Sequence, residues 1–167
     1  MTETIERNYL EINSLKDLRE GRELSKEYSI NLIDPINFQL NKFFYKNIGK
    51  KHKWVDRLTW SEEKWINYVS STNVNSYVLK HKGDLVGFFE LIFHPENKET
   101  EIAYFGILEE YQNKKLGSFL LSEAIKKSFV KNTKRVWVHT CSLDHKNALS
   151  NYISRGMKIF KTEILNI

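Results

Sequence analysis

Three strand-like segments in a row, running straight into a long amphipathic helix, constrain this chain more than any other feature of its sequence. Tyr77 to Lys80 and Leu85 to Phe93 flank the turn Lys82-Gly83-Asp84, which predicts a hairpin. A looser connection containing Pro95 leads into Thr100 to Leu108, whose β-branched and aromatic residues read as a third strand, so the three form an antiparallel meander. Immediately beyond, Leu116, Phe119, Leu120 and Ala124, widened by Leu121, Ile125, Ser128 and Phe129, recur at helical spacing. They predict a helix from about Lys115 to Val130.

The remaining segments extend that frame. Tyr9 to Ile12 predicts a first strand, after which Asn13 or Ser14 caps a helix through Leu15, Leu18 and Leu24. Phe38 to Val69 is crowded with aromatics and ambiguous in period, although Ser61-Glu-Glu-Lys64 reads as a helix start with acids in its first turn. Arg135 to Thr140 predicts a strand, Lys146 to Arg155 a short helix and Met157 to Glu163 a last strand. A single α/β domain over residues 1–167 is expected, with a mixed, mostly antiparallel central sheet and crossover helices. No apolar stretch approaches the roughly 20 residues that cross a bilayer. The start MTETIERNYLEI lacks the basic and apolar regions of a secretory signal, so a cytoplasmic location is expected. The single cysteine, Cys141, excludes an intrachain disulfide and a multi-cysteine metal site. A formal net charge of +5 favours an anionic ligand without demanding nucleic acid.

The place for such an anion is the junction Ile107-Leu-Glu-Glu-Tyr-Gln-Asn-Lys-Lys-Leu-Gly-Ser118, which joins a strand to a helix through a polar turn. A helix N-terminus presents unpaired N–H donors and the positive end of its dipole, and Lys114 and Lys115 add countercharge. The string Gly-x-x-x-x-Gly-Lys-Ser/Thr of nucleoside triphosphatases is absent.

Gln112-Asn-Lys-Lys-Leu-Gly117 resembles the Gln/Arg-x-x-Gly-x-Gly/Ala pyrophosphate loop of the GNAT superfamily of acetyl-coenzyme A dependent N-acetyltransferases. Lys115 stands where that family usually has its first glycine; if the position requires a positive φ, lysine costs about 1 kcal/mol or more there. Tyr152-Ile-Ser-Arg-Gly156-Met157 resembles the family's Tyr-x-x-x-Gly-Phe segment, and the order of elements from about Ser76 to Glu163 is similar. The resemblance implies a GNAT-like acyl-CoA N-acyltransferase fold and transfer of an acetyl or other acyl group from acetyl-CoA to a primary amine by direct attack. It implies that the backbone at Phe105, Gly106 and Ile107 pairs with the pantetheine arm. Backbone N–H groups of Gln112, Asn113, Lys114, Lys115, Leu116, Gly117 and Ser118 would hold the pyrophosphate. The family commonly has an asparagine three residues before the position of Ala148; here His145 stands there and Asn147 lies off register, and both are candidate cofactor contacts.

Such a reaction makes chemical demands. An alkyl ammonium with a pKa near 10.4 is about 3.4 units from its neutral form at pH 7, roughly 4.6 kcal/mol, so a base or a desolvating pocket must help. Glu101 is the first candidate base, because it opens the third meander strand and sits where histone-acetylating relatives carry theirs; simple alternation gives it a face shared with Ala103 and Phe105. Glu90, amid Phe88, Phe89, Leu91, Ile92 and Phe93, is the second. Each also reads as an ordinary carboxylate facing water. Tyr152 matches the family's tyrosine that protonates the departing thiolate, although Ala148, Leu149, Tyr152 and Ile153 also make a core-facing stripe. Trp54 and Trp60 are candidate walls for the acceptor, since aromatic faces attract an ammonium.

Other constellations compete less well. His139-x-Cys141-x-x-Asp144-His145 is not the spacing of a standard zinc site, so no metal is expected, and Asp144 reads as a helix cap. Lys50-Lys51-His52-Lys53 with nearby aromatics is the one hint of a nucleic-acid module. The Lys115 departure keeps open a coenzyme A binding domain without catalysis. By resemblance, a homodimer is also open.

Overall fold

The computed structural model describes residues 3–130 and 132–166. Its strands are β1 (Thr4–Ile12), β2 (Tyr28–Leu32), β3 (Val74–His81), β4 (Asp84–His94), β5 (Glu99–Ile107), β6 (Arg135–Cys141) and β7 (Lys158–Asn166). Its α-helices are α1 (Phe38–Gly49), α2 (Glu62–Val69), α3 (Leu116–Ser128) and α4 (Ala148–Ser154). The strands form one sheet in the order β2-β3-β4-β5-β6-β1-β7. Neighbours are antiparallel except β5 and β6, which run parallel because α3 carries the chain across between them.

The predicted meander is β3-β4-β5, and the predicted apolar stripe is α3. On one face of the sheet Leu10, Leu79, Phe89, Ile102 and Val136 meet Leu116, Leu120 and Ile125 of α3 and Tyr152 of α4. On the other, Phe44 and Ile48 of α1 pack on Val78 and Phe88, with the Phe44 and Phe88 rings stacked at 4.9 Å. Each fully buried side chain of this kind contributes about 1.5–3 kcal/mol. Ser61 caps α2 as its sequence suggests, its Oγ accepting from Lys64 N at 3.1 Å, and Asn37 caps α1 in the same way.

Three expectations need correction. The helix through Leu15, Leu18 and Leu24 reduces to a single 3-10 turn at Leu15–Asp17. Leu18 and Leu24 do reach the core, but the chain between them has no regular secondary structure. Its N–H groups go to other elements: Arg19 to the carbonyl of Arg155 at 2.9 Å, Gly21 to Ser122 Oγ at 2.7 Å and Arg22 to Ser118 Oγ at 3.3 Å. A Cβ on Gly21 would lie 2.4 Å from the Ser118 carbonyl carbon, so the strap needs glycine where it crosses α3. The chain then enters β2, which the sequence reading lacked; this edge strand is largely exposed and has no apolar run to betray it.

The second correction concerns β5. Leu91 pairs with Ile102 but Glu90 pairs with Tyr104, so Ala103 is an extra residue in a bulge. A bulge reverses the alternation beyond it. Glu101 therefore shares its face with Tyr104 and Gly106, while Phe105 turns to the α3 side. Third, Asp144 does not cap α4. Its Oδ2 accepts from Cys141 N at 3.0 Å and from Thr140 Oγ1 at 2.6 Å, closing the turn after β6, and the N-cap position of α4 is Asn147.

Candidate active site

Strands β5 and β6 pair only from Glu99 to Glu101 against Arg135 to Trp137. Beyond that point Phe105 and Gly106 on one side and Val138 and His139 on the other border an open cavity of about 1600 Å³. Drug-sized ligands fill some 300–1,000 Å³, so the space admits a large cofactor and an acceptor together. The N-terminus of α3 opens at one end of it.

That helix start has no side-chain cap. Lys115, its N-cap residue, makes no side-chain capping bond, so the first amides of α3 have neither an intrahelical acceptor nor a cap. Basic side chains ring it. Arg22 follows the strap that bonds Ser118; Lys115 is the cap residue; Arg155 lies one turn from Asn151, whose Nδ2 donates to the Gly117 carbonyl at 3.1 Å. Gly156 then ends α4 at φ 104°, and a Cβ there would meet the Asp17 carbonyl oxygen at 2.2 Å, so only glycine lets the motif's end pack under the N-terminal turn.

Most sequence candidates lie on the cavity wall: Glu101, Phe105 to Ile107, Gln112, Asn113, Lys115 to Ser118, His145, Asn147, Tyr152, Trp54 and Trp60. Two do not. Lys114 turns outward, its Nζ over the Tyr111 ring at 5.3 Å. Glu90 is fully buried beneath the wall and saturated: Arg57 Nη1 and Nη2 donate to it at 3.1 and 2.9 Å, the Tyr68 hydroxyl also donates, and Asn41 Nδ2 lies at 3.4 Å. A carboxylate with both oxygens held by a guanidinium is poorly placed to take a proton from an amine.

Glu101 is half-buried, and its Oε1 lies 3.1 Å from His94 Nε2. Tyr152 is buried beside Phe105, the rings 6.3 Å apart, and burial, with Asp144 adding to it, holds its phenol well above the ordinary range. His139 enters the sequence reading only through the string His139-x-Cys141-x-x-Asp144-His145. It stands on the cavity wall with its ring 5.6 Å from that of Tyr9, and desolvation by the cleft, helped by Arg7, holds its pKa below the ordinary 6.5. It is therefore a neutral, proton-accepting imidazole at pH 7. Among the described residues no group of three or more His, Cys, Asp or Glu side chains gathers as a metal site. No described helix is long and apolar enough to cross a membrane.

Residues 37–157 match the acetyltransferase (GNAT) family, which covers well over half of the chain. The chain belongs to the GNAT acetyltransferase family. No curated protein matches it. Among solved structures it is similar to a GCN5-related N-acetyltransferase from Sphaerobacter thermophilus, with a TM-score of 0.76 and 11% identity over 99% of this chain and 52% of that one. A GCN5-related N-acetyltransferase from Kribbella flavida gives 0.68 and 14%, over 96% and 57%. An aminoglycoside acetyltransferase from an uncultured soil metagenomic sample gives 0.64 and 14%, over 80% and 90%. At these identities the likeness is one of fold, and the chain spans little more than half the length of the first two.

For a GNAT protein the loop carries one anomaly. Lys115 has φ 61° and ψ 29°, the left-handed conformation that the family's usual glycine adopts at no steric cost. Lys115→Gly is expected to raise unfolding free energy by about 1 kcal/mol in urea titrations.

Proposed function

We propose that this protein is an N-acyltransferase that moves an acetyl group from acetyl-CoA to a primary amine. The observation that carries the reading is the uncapped N-terminus of α3, ringed by Arg22, Lys115 and Arg155, at the end of the gap between β5 and β6. Amides of residues 113–118 would receive the pyrophosphate. The edge of β5 past Glu101, which β6 leaves unpaired, would receive the pantetheine arm and aim the thioester into the gap.

The acceptor then arrives from the side of Glu101, His139, Trp54 and Tyr104, where the Trp54 ring meets that of Tyr104 at 4.8 Å. Its nitrogen lone pair forms the new bond to the thioester carbonyl carbon, the C–S bond breaks, and the amine proton passes to Glu101 or His139. Main-chain donors of β5 would steady the developing oxyanion, and Tyr152 would protonate the thiolate. An aminoglycoside acetyltransferase of similar fold has been solved in complex with sisomicin.

Acetyl-CoA is expected to raise the melting temperature, and thiol release with an amine panel to report turnover. No stabilisation by acetyl-CoA overturns the reading; stabilisation without turnover on any amine leaves a coenzyme A binding domain without catalysis. Glu101→Gln is expected to lower kcat/KM at pH 7 by about tenfold to 100-fold, with activity recovering as the pH rises toward the amine's own pKa. A uniform loss at every pH would instead assign the base to His139.

A further inference from the structure

The arginine that the mechanism leaves unused points to the acceptor's second functional group. We infer that the acceptor amine also carries a carboxylate, and that Arg7 of β1 holds it; the inference rests on the acyltransferase reading above and deepens it. Cross-strand partners share a sheet face. Across β6, Trp137 is opposite Glu101, His139 is opposite Tyr9, and Cys141 is opposite Arg7. The open face therefore carries Glu101, His139 and Arg7 on successive rungs. A two-residue step is about 6.6 Å, which puts the Glu101 and Arg7 rungs about 13 Å apart at the backbone with the imidazole between them. All three line the cavity.

Arg7 is poised for an anion from outside the chain. Its Nε is buried and has no hydrogen-bond partner among the described residues. Glu163, its partner across β7, feels the charge of Arg7, but its carboxylate is held by Lys161 Nζ at 2.8 Å. Arg135 Nε and Arg155 Nε are buried without a hydrogen bond as well, but Arg135 has a carboxylate oxygen of Glu11 at 2.9 Å, and Arg57 is ion-paired with Glu90. A buried guanidinium N–H without an acceptor is costly, and a ligand carboxylate satisfies it with paired, planar hydrogen bonds. The phosphate end of the cavity does not supply that anion, because Arg7 alternates with Asn8 and Leu10 and so faces away from α3.

In this arrangement Arg7 holds the carboxylate, and the amine lies toward His139 and Glu101, the proton acceptors.

The test uses matched acceptors on the intact chain with acetyl-CoA: phenylalanine against phenethylamine, and lysine against 1,5-diaminopentane. The wild type is expected to prefer the acid of each pair by about 30-fold in kcat/KM, and Arg7→Gln to bring that ratio to within about threefold of unity, with Arg7→Lys in between. A ratio taken on one preparation does not depend on its folded fraction. Turnover with no preference for the acid in either pair overturns the inference and leaves the acyltransferase reading intact. Should coenzyme A bind but no amine turn over, that reading fails. The inference is then decided by calorimetry on the coenzyme A complex: phenylalanine must outbind phenethylamine in the wild type and lose that advantage in Arg7→Gln, and equal binding overturns it.

Discussion

Tyr152→Phe is expected to lower kcat about 100-fold while moving the KM for acetyl-CoA by less than about threefold, as thiol release would measure. The argument begins with burial. Tyr152 is 6% exposed and packs with Leu116 and Phe105 in the core cluster, so removing one oxygen leaves the apolar contacts and the fold in place. Desolvation, reinforced by Asp144, raises the pKa of its phenol well beyond the physiological range, so it keeps its proton throughout the working pH. A group held protonated beside the gap is suited to give a proton to a thiolate that forms only as the C–S bond breaks. That interaction belongs to the transition state, and its loss falls on kcat rather than on ground-state binding. Because the hydroxyl does not titrate below pH 10, the variant's pH profile keeps its shape at reduced height. An equal loss in cofactor affinity would make Tyr152 a structural wall.

How much of this was legible in the sequence depended on the range of the interaction involved. The stripe Leu116, Leu120, Ala124 reads correctly as α3 because helical burial repeats within one segment. The faces of β5 do not, since the extra residue Ala103 shows only when Glu90 and Leu91 are seen to pair with Tyr104 and Ile102. The strap over α3 reads as a helix in sequence because Leu18 and Leu24 reach the core, but they do so along an irregular path whose N–H groups end on Ser118, Ser122 and Arg155. Arg57 was missed for the same reason: its partner lies 33 residues away. One signal was present, since a lone glutamate in Phe88-Phe-Glu-Leu-Ile-Phe93 requires a counter-charge, and Arg57 stands between Trp54 and Trp60. Arg7 left no such mark, because its nearest partners come from β6 and β7 at the far end of the chain.

That hidden pair gives the largest expected effect on stability. Glu90→Ala is expected to cost about 3–5 kcal/mol, roughly 10 °C in melting temperature for a domain of this size, because it strands a buried guanidinium among rings. Arg57 Cζ lies 4.3–5.8 Å from the ring centroids of Tyr45, Trp60, Trp65, Tyr68 and Tyr104, and its backbone N–H donates to the Tyr45 hydroxyl at 3.0 Å. Burial alone would lower its pKa, but Glu90 outweighs that and raises it, so the guanidinium stays charged and cannot escape the cost by losing a proton. Pairing therefore decides. The double variant Arg57→Met/Glu90→Leu is expected to regain more than half of the loss, since apolar side chains of similar volume replace both charges; a double variant no better than Glu90→Ala would show that the two residues stabilise the fold independently. Trp60 packs on Trp65 and Tyr68 of the same ring cluster, and Trp54 to Arg57 and Trp60 line the cavity beside Tyr104, where the proposed acceptor would lie. The double variant is thus expected to fold, bind acetyl-CoA near normally, and raise the KM for the amine about tenfold, separating the pair's hold on the wall from its hold on the fold.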